Sequence, residues 1–464
     1  MKRTIVALAA SAVICGGLGL PKASAQSLTD SFTSAYSNNP SLNLARSQLR
    51  GVDEQIAIAR SGNRPNLSGA IQQSFETTRS ILRTSPPLGV SGRSFGSNDA
   101  PTVFSISLTQ PLFRGFQVRN AIRGAESSVR AQRSSLQNTE QNILLDTATA
   151  FFDVILNRQV VTLRRNDVSF LGEQIRAAQD RFEVGEGTRT DVSQAEARQA
   201  QAEALLNEAI ADLSTSEASY KQLTGLEAGT LRDDITEARF VPPSLQSAIQ
   251  IGQNIHPAIR ATLFDVDTAS FNVAQLEGQF LPSLEVVGNA STALNRSDRR
   301  QDDAASISLN LSVPIYQGGR VSAEVRQAKE QLGSARIQVD VTRDSIRQFT
   351  VASWARNQAA LRSIQTSRTG VFAAQLALQG VIEEQRVGQR TTLDVLDAQR
   401  ELIDAQLTLV FSERDRDVTT YTLLSAIGNL NAERLGLNVA IYRPEEHTDA
   451  IRDKWFGLRT PDGR

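Results

Sequence analysis

The sequence predicts a mainly helical fold with some β-structure, built as two tandem homologous halves in which long antiparallel helices carry two strands each. Three observations predict it. The chain repeats itself at a fixed offset, its helical segments place an apolar residue at every seventh position, and between them the apolar period falls to two. "VGEGTRTDV", Val184 to Val192, returns as "VGQRTTLDV", Val387 to Val395, so Gly185 and Gly388 stand 203 residues apart. At the same offset "SLTQPLFRGFQVRNAIRGAE" from Ser107 matches "NLSVPIYQGGRVSAEVRQAK" from Asn310; Pro111 pairs with Pro314, Gly115 with Gly318 and Gly225 with Gly428. Upstream, Pro65 in "RPNLSG" pairs with Pro282 in "LPSLEV" at an offset of 217, which leaves 14 extra residues between Pro65 and Pro111. They fall in "TTRSILRTSPPLGVSGRSFGSNDA", read as a Ser/Gly/Pro-rich loop.

The elements follow in order. "MKR", an apolar stretch and "ASA" at Ala23 to Ala25 predict a signal peptide over residues 1–25, cleaved before Gln26. Cys15, the only cysteine, lies inside it behind Val13 and Ile14; a lipid anchor would need a small residue directly before the cysteine. The mature chain is thus expected to hold no disulfide and no thiolate metal site. About 440 residues remain, enough for two or three ordinary domains. With 49 basic against 50 acidic residues nothing suggests a nucleic-acid partner, which would favour a clustered basic face. No mature segment reaches the roughly 18 apolar residues of a spanning helix. An exported chain of this kind is periplasmic, secreted, or threaded through a membrane as strands.

Helices are predicted from Pro40 to Gly62, from about Phe116 to Glu183 and from about Arg189 to Thr224, then again from Pro257 to Gly278 and from Thr392 to Ile427. The long one spans roughly 100 Å at about 1.5 Å per residue; the return helix covers about half, and the helix from Pro40, stacked end to end, supplies the rest. Ile122, Val129, Leu136 and Ile143 recur every seven residues, as do Val325, Leu332, Val339 and Ile346. That spacing makes coiled-coil-like seams. The stripe is thin and flanked by Gln, Ser, Arg, Asn and Glu, which suits helices wet on both sides better than a solid bundle.

Between the helices, Phe104, Ile106 and Leu108 alternate with Ser105, Ser107 and Thr109, and Ile307, Leu309, Leu311 and Val313 with Ser308, Asn310 and Ser312. Leu67, Gly69, Ile71 and Phe75 alternate more weakly, as do Leu284, Val286 and Gly288. Strands of about ten residues fit a membrane sheet with one lipid face. Alternation alone fits a periplasmic sheet with one buried face equally well. Phe113, Phe116, Phe280 and Tyr316 at the strand ends favour the membrane, where aromatic residues belt the interface. Four strands cannot close a barrel, since small membrane barrels have about eight and an open edge in lipid leaves backbone groups unpaired. If the strands span lipid, several chains share one barrel.

The repeated phrase reads first as a turn. Gly185 and Gly388 can end a helix in the left-handed conformation. Thr188 with Asp191, and Thr391 with Asp394, fit the capping box that starts the next. Other candidate chemistry fails. His256 precedes Pro257 at a helix start, where it reads as a cap or as a plainly exposed residue, and His447 in "RPEEHTDAIRDKWFGL" has no second histidine beside it. No phosphate loop and no nucleophile–base pair stand out. No enzyme, cofactor or metal is expected.

Taken together, "AYSNNPSLNLARSQLRGVDEQIAIARSG", "LTQPLFRGF", "LSVPIYQGGR", "RFEVGEGTRTDVSQAEA", "QRVGQRTTLDVLDAQRELIDAQ" and "LTG", in this doubled order, resemble the TolC family of outer-membrane channel proteins, with the flavour of its type I secretion branch. The resemblance covers nearly the whole mature chain. It implies a homotrimer sharing one twelve-stranded outer-membrane β-barrel, a periplasmic α-barrel and a mixed girdle midway. It implies passive export with an inner-membrane ABC or RND pump and a periplasmic adaptor (a membrane fusion protein). The repeats then occupy residues 26–225 and 246–428, with the connector 226–245 and the C-terminal tail 429–464 in the girdle. Pro65, Pro111, Gly115, Pro282, Pro314 and Gly318 mark the barrel-to-helix junction. The resemblance places Val184, Gly185, Glu186, Thr188, Asp191, Val387, Gly388, Gln389, Thr391 and Asp394 at the periplasmic tip, where the channel narrows and the adaptor docks. Family members often carry Val-Gly-Leu there; this chain has Glu186 and Gln389 as the third residue. Glu183, Glu186, Glu383 and Glu384 are candidates for an electronegative mouth, against the plainer reading of solvated helix-end charges. The competing functions are a duct for drug efflux alone and a soluble periplasmic coiled-coil scaffold.

Overall fold

The computed structural model describes residues 26–83, 92–232, 240–295, 300–461 and 463. The leader at residues 1–25, the centre of the 226–245 connector and the middles of both strand loops lie outside them. The chain forms two compact units. One comprises residues up to Asn39, Leu144–Arg239 and Ala359–Thr420; the other comprises Pro40–Ile143, Phe240–Gln358 and Tyr421–Arg464.

The second unit carries the sheet. Its strands are β2 (Asn66–Gln73), β5 (Pro101–Arg114), β7 (Ser283–Asn295) and β8 (Arg300–Ser312), in the antiparallel order β2-β5-β7-β8. The two halves meet at β5 and β7, where Ile106 faces Ala290. Register aligns the faces. Leu67 opposes Leu108, Ile71 opposes Phe104, Val286 opposes Leu309 and Leu284 opposes Leu311. Ser68 opposes Ser107, with their hydroxyls 2.7 Å apart, and Asn289 opposes Ser306 on the other face. The apolar face lies bare: Leu67, Ile106, Leu309 and Leu311 are exposed, and Ile307 is 85% exposed. Among the described residues both outer strands, β2 and β8, pair on one side only. No helix among the described residues is long and apolar enough to cross a membrane.

The long insertion departs from expectation. It is a second hairpin, β3 (Glu76–Arg83) with β4 (Gly92–Asp99), in register from Glu76–Asp99 to Arg83–Gly92. In sequence Pro86, Pro87 and Gly89 fall between its arms, outside the described residues. Its arms hold Thr, Ser, Ile, Leu and Phe, which are compatible with strands.

The long helices are continuous: α3 runs from Gln117 to Glu183 and α7 from Arg320 to Arg386, 67 residues each. The return helices are α4 (Arg189–Thr224) and α8 (Thr392–Ala426); α2 (Pro40–Ser61) and α6 (Pro257–Glu277) are the short ones. In the first unit the α4 seam is made of small residues: Ala195, Ala202, Ala209 and Ser216 are buried at seven-residue steps. Ala195 and Ala202 pack in one cluster with Leu171 and Ile175 of α3. In the second unit Val129, Leu136, Ile143, Val325 and Val339 are buried, while Ile122, Leu332 and Ile346 are half-buried.

Shorter elements are local additions. Gln26–Ser27 (β1) pairs in parallel with Leu231–Arg232 (β6), and Ser27 caps α1 (Leu28–Asn38) through a capping box with Asp30. Within the second unit α5 is Leu245–Ile255, α9 is Ala432–Leu435 and α10 is Pro444–Arg452. α10 docks on α2, where the buried Asp53 Oδ2 meets His447 Nδ1 at 2.9 Å. Arg133 of α3 donates to Glu445 at 3.0 Å and to Thr448 at 2.7 Å, so the tail is a fixed element.

Candidate functional site

Each copy of the repeated phrase forms the same turn in the first unit. At the end of α3, Gly185 takes φ 80°. Its N–H donates to Phe182 O at 3.1 Å, and the Glu186 N–H reaches back to Arg181 O at 2.8 Å. At the end of α7, Gly388 takes φ 79°. The Gly388 N–H donates to Gln385 O at 3.0 Å and the Gln389 N–H to Glu384 O at 2.9 Å. This double closure satisfies the last carbonyls of a helix and requires a left-handed residue. The restart is equally matched. Asp191 Oδ2 accepts from the Thr188 N–H at 3.0 Å while Thr188 Oγ1 accepts from the Asp191 N–H at 3.2 Å. Asp394 Oδ2 and Thr391 repeat the exchange at 2.8 and 3.3 Å. The Thr391 N–H and hydroxyl hold the Asp394 carboxyl below its ordinary range. Val184 and Val387 are each 70% exposed, an apolar side chain at the apex of each turn.

The copies differ in charge. The counterpart of Gly187 is Arg390, which donates to Glu384 at 2.9 Å and lies 3.9 Å from Asp394. Glu383 pairs with Arg386 at 2.8 Å. Two of the four expected mouth carboxylates are thus balanced within their own turn. Among the described residues, Glu183 and Glu186 make no ion pair.

Sequence reasoning missed what ties the halves together here. Arg181 of α3 donates to Gln385 Oε1 at 3.3 Å, and Gln385 donates onward to Thr392 at 3.3 Å. Gln399 donates to the buried Asp167 at 3.0 Å, and Arg414 to Asp153 at 2.8 Å. Burial raises the Asp167 carboxyl pKa, partly offset by the Gln399 amide. Asp153, Asp167 and Arg181 stand 14 residues apart on α3, every second heptad. Polar residues in seam register were the signal.

The junction residues lie in the second unit. Gly115 (φ 55°) is followed by Phe116 (φ 61°), and in the other copy Gly318 (φ 63°) by Gly319 (φ 78°). Two consecutive left-handed residues thus link strand to helix in each half. A Cβ on Gly115 would lie 2.2 Å from Gly278 O. Pro111 is buried where the β5–β7 register shifts, and the Phe113 and Phe116 rings meet edge to face at 5.2 Å. Pro65 and Pro282 precede β2 and β7 directly, whereas Pro314 follows β8. His256 caps α6, its Nδ1 accepting from the Ala258 N–H at 3.2 Å. Among the described residues no group of His, Cys, Asp and Glu is arranged to hold a metal.

The model of the family described as "Outer membrane efflux protein" matches residues 32–226 and 249–429, one stretch per half. The chain is 45% identical over 465 residues to the outer membrane efflux protein BepC of Brucella suis, covering 98% of each. It is 26% identical over 441 residues to the outer membrane protein TolC of Escherichia coli, covering 90% of this chain and 86% of the other. The solved structure of the Campylobacter jejuni CmeC outer membrane channel superposes with a TM-score of 0.73 at 16% identity, over 92% of this chain and 89% of that one. With its open apolar-faced sheet, its twin long helices and these likenesses over nearly its whole length, the chain belongs to the TolC-like outer membrane efflux protein family.

Proposed function

We propose that this protein is one subunit of a homotrimeric outer-membrane export duct. The observation that carries it is the four-stranded sheet with one bare apolar face and two unpaired edges. Such a sheet is unstable in water because of its face and in lipid because of its edges. Three copies joined edge to edge give twelve strands and remove both problems. Exposed apolar side chains on α7 support the same reading. Ile337 and Val341 lie bare in the second unit, and Leu361, Phe372 and Leu376 in the first. A soluble scaffold would leave all of these faces in water.

The protein carries cargo without chemistry of its own, driven by an inner-membrane ABC or RND pump through a periplasmic adaptor. Relatives include the proteases secretion protein PrtF of Dickeya chrysanthemi and the cobalt-zinc-cadmium resistance protein CzcC of Cupriavidus metallidurans. Cargo as different as those two names imply points to selection at the pump. In this reading residues 26–225 and 246–428 are the two repeats. The connector 226–245 and the start of the tail 429–464 form the girdle, the far end of the tail climbing along α2 toward the strands, and the leader is removed before Gln26. The two turns, from Val184 to Asp191 and from Val387 to Asp394, dock the adaptor and line the gate. The hairpin around Gly92 and the loop "NRSDRRQDD" face the outside of the cell.

Fractionation with cross-linking tests this. A cross-linked trimer in the outer-membrane fraction, and a tag at Gly92 reached by antibody on intact cells, are expected. A monomer in the soluble periplasm would overturn the proposal. Tag labelling only after permeabilisation would reverse the topology.

A further inference from the structure

The last described residues form a built turn. α10 ends at Arg452, and the Lys454 N–H donates to Ile451 O at 3.1 Å. Gly457 takes φ 115°, which folds the chain back so that the Lys454 ammonium reaches Arg459 O. Trp455, Phe456 and Leu458 are displayed around this turn. Phe456 is 90% exposed and Leu458 fully so. Two arginines at the end of α2 fix where it sits. Arg60 pairs with Asp453 at 2.7 Å. Arg64 donates to Lys454 O at 2.7 Å, and its guanidinium lies over the Trp455 ring at 4.8 Å.

Arg64 is two residues before β2 begins and three before Leu67, the first residue of the bare apolar stripe on that strand. Three residues of strand span about 10 Å. The headgroup layer on one side of a bilayer is about 5–8 Å thick. The turn therefore sits beside the level where the apolar band meets the headgroups. Its composition suits that level. Trp prefers the interface, Phe456 and Leu458 supply apolar area, and Arg64, Lys454 and Arg459 supply positive charge for lipid phosphates.

We propose that residues 454–459 are an interfacial anchor, which inserts Trp455, Phe456 and Leu458 into the headgroup–acyl boundary of the periplasmic leaflet. This rests on the reading that the sheet spans the outer membrane. The anchor adds a second lipid contact outside the barrel and holds α10, with the α2 and α3 residues it grips, at a set height below the membrane.

The test uses the full chain in phospholipid vesicles whose acyl chains are brominated at shallow or deep positions. Trp354 is the other tryptophan, so Trp354→Phe leaves Trp455 as the sole reporter. Its emission should shift to the blue on reconstitution and be lost more to shallow than to deep bromine. Because Trp354→Phe could disturb α7, Phe456→Cys carrying an environment-sensitive fluorophore serves as the second reporter. Leu309→Cys with the same label reports the sheet. Quenching at residues 309 and 456 supports the anchor. Quenching at 309 with none at 456 overturns the anchor and leaves the spanning sheet standing. No quenching at either position overturns both. Shielding of residue 456 from aqueous iodide without lipid quenching also overturns the anchor, and assigns the segment to a protein contact.

Discussion

Glycines of the same conformation have different tolerance in this chain. Around Gly185 and Gly388 a Cβ would meet nothing within 4 Å, so valine there meets only backbone strain of about 1–2 kcal/mol. That is too little to unfold a large assembly and enough to move the turn. Gly185→Val and Gly388→Val are expected to reach the outer membrane as trimers while losing export and adaptor cross-linking. Normal export by both would leave the phrase as only a turn. At Gly115 a Cβ would collide with backbone, the Gly278 carbonyl, and no rotamer change relieves it. Gly115→Ala should fail to assemble. His256 makes a different demand. Its Nδ1 takes the Ala258 N–H, its other nitrogen bonds the Ser425 backbone, and burial lowers its pKa from 6.5 to about 4. The folded state therefore resists a proton that the unfolded chain accepts. Stability is complete above pH about 6.5 and declines as pH falls toward about 4, by about 3 kcal/mol at most. His256→Asn keeps an acceptor for Ala258 and removes the titration. Its thermal midpoint should fall less between pH 7 and pH 4 than that of the parent. An identical slope would remove His256 from the acid response.

At the level of elements, strands and helices were legible to different depths. The long helices were legible because a seven-residue seam leaves a periodic trace, with Ala195, Ala202 and Ala209 as its smallest-residue form. The sheet was legible because one bare face enforces strict alternation on β5 and β8. Leu309→Arg is expected to cost roughly 2–4 kcal/mol on the lipid face, and Ser308→Arg much less on the other. Trimer yield after heating at graded temperatures checks it, and equal losses would reassign the faces. The β3–β4 hairpin was hidden because its arms lack strict alternation and its centre is rich in Pro and Gly. The β1–β6 pair is two residues long, too short to carry a pattern. The polar rungs at Asp153, Asp167 and Arg181 were in register on the page. Their partners Arg414, Gln399 and Gln385 come from the other half, and one sequence does not announce which residues meet across a seam.

For the whole molecule, the duplication is inexact in charge. Three chains would present six turns, alternating between one holding the unpaired Glu183 and Glu186 and one in which Arg386 and Arg390 balance Glu383 and Glu384. Fields at a narrow mouth respond to unbalanced charge. Glu183→Gln and Glu186→Gln should therefore weaken cation block in planar bilayers more than Glu383→Gln and Glu384→Gln. Equal effects would mean that the local pairs do not persist in the assembled mouth. The two turns were half legible: their backbone geometry follows from Gly, Thr and Asp spacing, while the pairing of Arg390 depends on how its turn closes.

The joining of the two halves at β5 and β7 also sets an order in time. Ile106 must find Ala290, far later in the chain, before the sheet is more than two separate hairpins. Local pairs such as β2–β5 can close early, whereas contacts between residues so distant in sequence close slowly. Until the second hairpin has formed, the first waits with an apolar face and two raw edges. That interval is the stage at which this chain would aggregate, and the stage at which a holding chaperone would have most to cover.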